Sequence, residues 1–260
     1  ENSKMEFRPE VNGVIKPKEH LTPFDIPRSY FATQFPNLDF LPIPDYDEFF
    51  DSYKRATRQN PFLLLSRMQP ILLVEGTRGC FAHCDFCAQN AQWQGFRKLA
   101  PDAVFERTLK LASKYNCRGV QFVDNVCDTW AERYADLMRD SKVKVESFME
   151  LRAHHKDRFW AKLYLGGVTH VQVGVEALSP PLLGKIGKGT RVVQNLVAQK
   201  CFEELGIIPS SLLIFNHPKS TTYDVMETKR VLKATPHFPS LGIKDFALNS
   251  GSPIFQALSD

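Results

Sequence analysis

From residue 71 onward, short apolar, β-branched runs alternate with longer segments of helical periodicity. This alternation restricts the possible folds more than any other feature of the chain. The strand candidates cover 71–76, 119–123, 143–149, 170–175, 211–215 and 242–248. Between them the spacing predicts helices over 102–115, 129–140, 155–165, 191–205 and 221–234. Pro101-Asp102 suits a helix start and Gly206 a helix stop. Strands separated by helices cannot pair as hairpins, so the expected class is α/β with a parallel sheet and crossover helices. Six strands with five crossovers fit either an open doubly wound sheet or a partial (β/α)6 barrel, and periodicity does not separate the two.

Residues 1–70 read differently. Pro17, Pro23, Pro27, Pro36, Pro42 and Pro44 break up any regular pattern. The expectation is an extended lead-in segment, with Leu41-Pro-Ile-Pro-Asp-Tyr-Asp turning into a short amphipathic helix near Phe50. A length of 260 residues suits one large domain over 71–260. The net charge of +4 comes from interspersed charges of both signs, which argues against a nucleic-acid partner. No apolar run approaches the ~18 residues of a membrane span, and Glu1–Glu10 is too polar for a signal peptide. Three of the six cysteines fall within eight residues, an arrangement unlike a disulfide framework, so a reducing cytoplasm is expected.

Those three lie in Gly76-Thr-Arg-Gly-Cys80-Phe-Ala-His-Cys84-Asp-Phe-Cys87, directly after the first strand. Ligands of parallel α/β sheets sit at the carboxyl ends of strands. A C-x3-C-x2-C loop can there wrap one metal centre. Three thiolates satisfy three irons of a 4Fe–4S cube, which ordinarily takes four cysteines, and leave one iron for an amino and carboxylate chelate. Gly76 and Gly79 would let the backbone approach such a cluster. The rival readings are a structural zinc site, with His83, Cys117 or Cys127 as fourth ligand, and packed free thiols. Cys117, Cys127 and Cys201 read as packed thiols.

Further polar residues collect at predicted strand ends. Asp124 and Asn125 close the second strand and either face the cysteine loop or cap the next helix. Glu150 and Arg152 share a face at the end of the third and form either a surface ion pair or a ligand contact. On the fourth, Gln172, Gly174 and Glu176 lie opposite Val171, Val173 and Val175. A polar inner face needs partners, since each unpaired buried polar group costs about 1–3 kcal/mol. The alternative is a glycine bulge beside a paired surface glutamate. Gly184-Lys-Ile-Gly-Lys-Gly189-Thr190 reads as a loop with solvated lysines, and His217 as a structural histidine.

The cysteine string, with Phe86 before its last cysteine, resembles the signature of the radical S-adenosylmethionine (SAM) superfamily. The resemblance implies a partial (β/α)6 barrel and a [4Fe-4S] cluster on Cys80, Cys84 and Cys87. It implies SAM chelated to the open iron and cleaved reductively to a 5′-deoxyadenosyl radical. It further implies SAM contacts from Glu150, Gln172, Gly174 and Glu176, with Asp124 near the methionine amino group, Arg152 near the carboxylate or ribose, and Phe86 near the adenine. An electron donor such as flavodoxin or ferredoxin would be a partner.

Four strings narrow the resemblance: Leu41-Pro-Ile-Pro-Asp-Tyr-Asp, Val123-Asp-Asn, the segment from Gly167 to Ser179, and Lys188-Gly-Thr-Arg-Val-Val-Gln-Asn195. Together they are similar to cobalamin-binding radical SAM enzymes that mature ribosomally made peptides, over roughly residues 38–250. This implies C-methylation of a peptide or related small-molecule substrate with cobalamin. Radical cross-linking or epimerisation without cobalamin, and a zinc-binding interaction module, remain as alternatives. Two departures stand out. About 40 residues precede Leu41-Pro-Ile-Pro, too few for the usual N-terminal cobalamin domain, so the chain is expected to be an excerpt or to work without cobalamin. Asn216-His-Pro-Lys219 also replaces the Gly-Phe-Pro-Gly that relatives often carry.

Overall fold

The computed structural model describes residues 8–11, 14–16, 34–60, 62, 69–93, 95–236 and 241–259. The chain divides into two compact units, residues 1–38 and 39–260. In the first, β1 (Arg8–Val11) pairs antiparallel with β2 (Val14–Lys16). The rest of the expected lead-in up to residue 33 lies outside the described residues. In the second unit the helix expected near Phe50 is α1 (Asp47–Gln59), longer than predicted.

The parallel sheet is built from β3 (Ile71–Val74), β6 (Gly119–Phe122), β7 (Glu146–Leu151), β8 (Val168–Glu176), β10 (Leu212–Phe215) and β11 (Gly242–Asp245). They pair in chain order, β3-β6-β7-β8-β10-β11, and every ladder along this path is parallel. A short β9 (Ile208–Pro209) pairs with the lower half of β8, so β9 and β10 make one interrupted strand beside it. The strand order settles what periodicity left open. A doubly wound sheet reverses direction at a switch point and carries helices on both faces. Here every step goes the same way, and right-handed crossovers then place the helices on one face. The other face curls around a hollow, which is the partial barrel.

The crossover helices are α3 (Pro101–Tyr115), α4 (Ala131–Asp140), α5 (Asp157–Leu165), α7 (Val192–Leu205) and α8 (Thr222–Ala234). Pro101 opens α3 with Asp102 in its first turn, favourable at the positive end of the helix dipole. Gly206 closes α7 with φ 73°, a left-handed conformation that glycine adopts without strain. The third strand begins three residues later than predicted and the fourth two residues earlier. Between β8 and α7 the sequence reading missed α6 (Pro180–Lys185), whose six residues are too few for periodicity to reveal.

The core lies between sheet and helices. Val171, Val173 and Val175 of β8 are fully buried on the face opposite Gln172 and Gly174. Burying each is worth about 1.5–3 kcal/mol. Phe122, Trp130 and Tyr134 pack as an aromatic triad with centroids 4.6–5.4 Å apart. The hollow face of the same strands carries Gln121, Phe148, Gln172 and Gly174, all partly exposed.

Candidate functional site

The cysteine loop is closed off as a unit by two short strands, β4 (Thr77–Arg78) and β5 (Arg97–Lys98), that pair antiparallel. The four-residue helix α2 (Gln89–Gln92) lies within it. Leu99 N donates to Gly76 O (2.8 Å), Asn90 Nδ2 to Ala82 O (2.7 Å) and Cys87 N to Cys84 O (3.2 Å). The guanidinium groups of Arg78 and Arg97 lie 5.4 and 5.6 Å from the ring centre of Trp93. The two glycines serve the protein's own packing. A Cβ on Gly76 would meet the Trp130 indole at 2.8 Å, and Gly79, at φ 83°, faces the carbonyl of Gly95.

Cys80, Cys84 and Cys87 converge on one cavity of about 200 Å3 at the carboxyl ends of the strands. Phe86, Glu150, Arg152, Gln172, Gly174 and Glu176 line the same cavity. Asp124 does not. Its neighbour Asn125 reaches the cavity, while Asp124 turns back to accept from Gly76 N (2.9 Å) and Trp130 Nε1 (3.3 Å). Burial pushes its carboxyl up to about 7 despite those hydrogen bonds and one from Thr77. Asp124 is no helix cap either, because the N-cap of α4 is Trp130, with no side-chain cap hydrogen bond. A larger hollow of about 750 Å3 opens at the opposite end of the barrel, between the starts of β3, β6, β7 and β8. The smaller cavity is the better candidate, because it gathers the thiols and the ionisable groups at the catalytic end of such a barrel.

Burial pushes the thiols of Cys80 and Cys87 up. The neighbouring thiols push Cys87 further the same way, while the charges of Arg152 and Lys188 pull Cys80 back. Protonated thiols release their protons when metal binds. A structural zinc ion takes four protein ligands, whereas a cluster with one open iron takes three thiolates. Cys117 is buried beside the hollow at the opposite barrel end, and Cys127 is fully buried, so neither reaches the cavity as a fourth ligand.

Lys188 is the residue that sequence reasoning missed. Expected to be solvated, it is buried in the cavity wall, with Nζ 2.8 Å from Glu176 Oε1. Arg152 Nη2 donates to its carbonyl. The only signal in the sequence was the glycine two residues before Glu176. A Cβ on Gly174 would fall on Lys188 Nζ and Glu176 Oε1, so the glycine leaves room for the pair. Glu176 itself adopts φ 61° where the β8–β10 register shifts, a conformation costing a non-glycine residue about 1–3 kcal/mol. Arg152 is steadied from below by Asp128, whose carboxylate accepts from Arg152 N (3.3 Å) and pairs with His155. The carboxylate of Glu150, by contrast, has no hydrogen-bond or ion-pair partner among the described residues, and burial raises its pKa above the usual range.

The sequence profile of the Radical SAM superfamily matches residues 74–232, from the end of β3 into α8. The chain belongs to the radical SAM superfamily. Among curated relatives, it is 26% identical over 203 residues to an uncharacterized methyltransferase, PH0819, of Pyrococcus horikoshii. That match covers 76% of this chain and 42% of the relative. A second, the 4′-phospho-dehydrooxetanocin synthase of Priestia megaterium, is 22% identical over 170 residues, covering 55% of this chain and 23% of the relative. The chain thus spans less than half the length of either. Among solved structures, the cobalamin-dependent SAM radical enzyme OxsB aligns with a TM-score of 0.64 at 17% identity, over 98% of this chain and 35% of that one. The radical SAM methyltransferase TsrM of Kitasatospora setae gives 0.63 at 16% identity, over 74% and 37%. These structures share the fold of this radical SAM chain. The superfamily implies a [4Fe-4S] cluster and SAM, and three thiols sharing a cavity with an unpartnered carboxylate fit both. Among the described residues, no helix is long and apolar enough to cross a membrane.

Proposed function

We propose that this radical SAM protein uses a cluster on Cys80, Cys84 and Cys87 to cleave SAM, and directs the resulting radical to C-methylation of a peptide or related substrate with cobalamin. When bound, the reduced cluster supplies the electron that breaks SAM into methionine and a 5′-deoxyadenosyl radical. The chain's own residues bind and orient. Glu150 is the observation that carries the reading: a desolvated, unpartnered carboxylate facing the thiols asks for a cationic ligand group, such as an α-ammonium. Gln172 and Glu176 offer hydrogen bonds to hydroxyls of the ribose, with Glu176 held by Lys188. Arg152 supplies a cation for the SAM carboxylate, and Phe86 an apolar surface for the adenine. Asp124 acts beneath the site, holding Gly76. Residues 71–260 are the catalytic barrel and residues 1–70 its lead-in. A flavodoxin- or ferredoxin-like protein is the natural electron donor.

Methyl transfer and cobalamin use are supported by the similar proteins: a methyltransferase in Pyrococcus horikoshii, a methyltransferase TsrM, and a cobalamin-dependent OxsB. The test is anaerobic reconstitution, reduction, and measurement of 5′-deoxyadenosine from SAM, with and without cobalamin. The expected result is 5′-deoxyadenosine from the wild-type protein and none from Cys84→Ala; equal yields would overturn the cluster assignment. A substrate product heavier by one methylene, formed only with cobalamin, supports methylation. An unchanged mass or a loss of two hydrogens would replace it with epimerisation or cross-linking.

A further inference from the structure

One loop has no part in the site described so far: Asn216-His217-Pro218-Lys219, which follows β10. It does not line the cavity of the three thiols. It ends instead on Asp85, the residue directly after Cys84. Lys219 Nζ lies 2.6 Å from Asp85 Oδ2, and His217 Nε2 lies 3.4 Å from Asp85 Oδ1. The side chain of His217 is 1% exposed and that of Asp85 12%.

We infer that His217 and Lys219 are positioning residues that latch the cysteine loop through Asp85, so that the far side of the barrel sets the placement of Cys84 and Cys87. Three features carry this. First, the backbone of Asp85 is tied on both sides: its N–H donates to Ile186 O (3.1 Å) and its carbonyl accepts from Ile254 N (2.9 Å), while its buried carboxylate makes no hydrogen bond and is held by charge alone. A charged residue between two ligand thiols is thus fixed by segments more than 90 residues away in the chain. Second, the latch is itself anchored. Lys219 N donates to His217 Nδ1 (3.1 Å), and the 185 and 219 loops exchange hydrogen bonds, Lys185 Nζ to Lys219 O (3.1 Å) and Lys219 Nζ to Lys185 O (3.2 Å). Third, among the described residues no ladder joins the edge strands β3 and β11, so Asp85 ties the cysteine loop to distant segments outside the sheet, by its backbone to Ile186 and Ile254 and by its carboxylate to Lys219.

The inference rests on the reading of the three cysteines as cluster ligands, and the experiment separates the two. In protein stripped of metal, the rate of Cys84 alkylation is measured for wild type, Lys219→Met and Lys219→Arg, with far-UV circular dichroism as a check on folding. In reconstituted protein, the rate of iron loss to a chelator is measured for the same three. Loss of a half-buried ion pair predicts about tenfold faster alkylation and iron release in Lys219→Met. Lys219→Arg, which keeps the charge, stays within about twofold of wild type. A packing role alone would not be rescued by arginine, which is larger, and rejected by methionine, which matches the lysine stem. Should Lys219→Met not fold, Asp85→Asn removes the same pair while keeping size. Wild-type rates in both neutralised variants would overturn the latch. Normal iron content after Cys84→Ala would instead overturn the cluster reading, leaving the alkylation arm to judge the latch by itself.

Discussion

Lys188→Met tests the wall of the cavity most directly. Methionine keeps most of the stem and removes the ammonium that sits 2.8 Å from Glu176 Oε1. The pair is largely withdrawn from water, at 8% and 14% side-chain exposure. Removing one member of a buried pair costs about 3–5 kcal/mol, because the other charge stays behind uncompensated. Glu176 borders a cavity that water enters, which lowers the expected cost to about 2–3 kcal/mol. For a domain of this size, each kcal/mol moves the melting temperature by about 2–4 °C, so Lys188→Met should melt about 5–10 °C lower. Adding Glu176→Gln removes the stranded charge and should recover more than half of that loss. The assay is thermal unfolding of the metal-free protein by circular dichroism near neutral pH, as a double-mutant cycle with both single variants. A Lys188→Met melting temperature within about 1 °C of wild type, or additive losses in the double variant, would refute the reasoning.

Glu176→Gly should be more stable than Glu176→Ala by about 1 kcal/mol in urea titrations, because φ 61° strains alanine and not glycine; equal midpoints would show that the strain is absent. Asp224 caps α8 through Thr221 N (2.8 Å) and accepts from Ser179 Oγ (2.5 Å). Burial raises its pKa, but the hydrogen bonds from Ser179 and Thr221 and the Lys185 ammonium outweigh it and hold the carboxyl at about 2. A depressed folded-state value stabilises above the unfolded value near 3.8 and is lost as pH falls toward 2. Asp224→Asn should therefore be less stable than wild type by about 1–2 kcal/mol at neutral pH, a gap that closes between pH 4 and 2. Glu150 must be ionised to pair with a ligand ammonium, and burial raises its pKa. SAM affinity, read by equilibrium dialysis on the reconstituted protein, should fall as the pH drops through that raised value, and Glu150→Gln should bind SAM weakly with no such pH dependence.

The residues that line the cavity were legible to the extent that they obey a local period. Gln172, Gly174 and Glu176 alternate with three buried valines, so a strand had to send them to the face opposite the core. Glu150 and Arg152 follow the same rule one strand earlier. Local rules also placed Pro101 and Gly206 at helix ends, where missing hydrogen-bond donors and positive φ have local causes. Asp124 shows where such rules stop. Its place at a strand end was right, but Gly76 N and the Trp130 indole, 48 residues before and six after it, compete for the carboxylate and turn it away from the cavity.

The amino-acid sequence alone thus determined the α/β class, the strand faces and the grouping of three thiols in one loop, because each depends on residues within a turn or two of chain. Only the tertiary structure decided between an open sheet and a barrel, buried Lys188 against Glu176, and brought Lys219 to Asp85. Strand order and ion pairs between distant segments depend on which surfaces meet when the core closes. That choice is made by packing across the whole sheet and leaves no period in the chain.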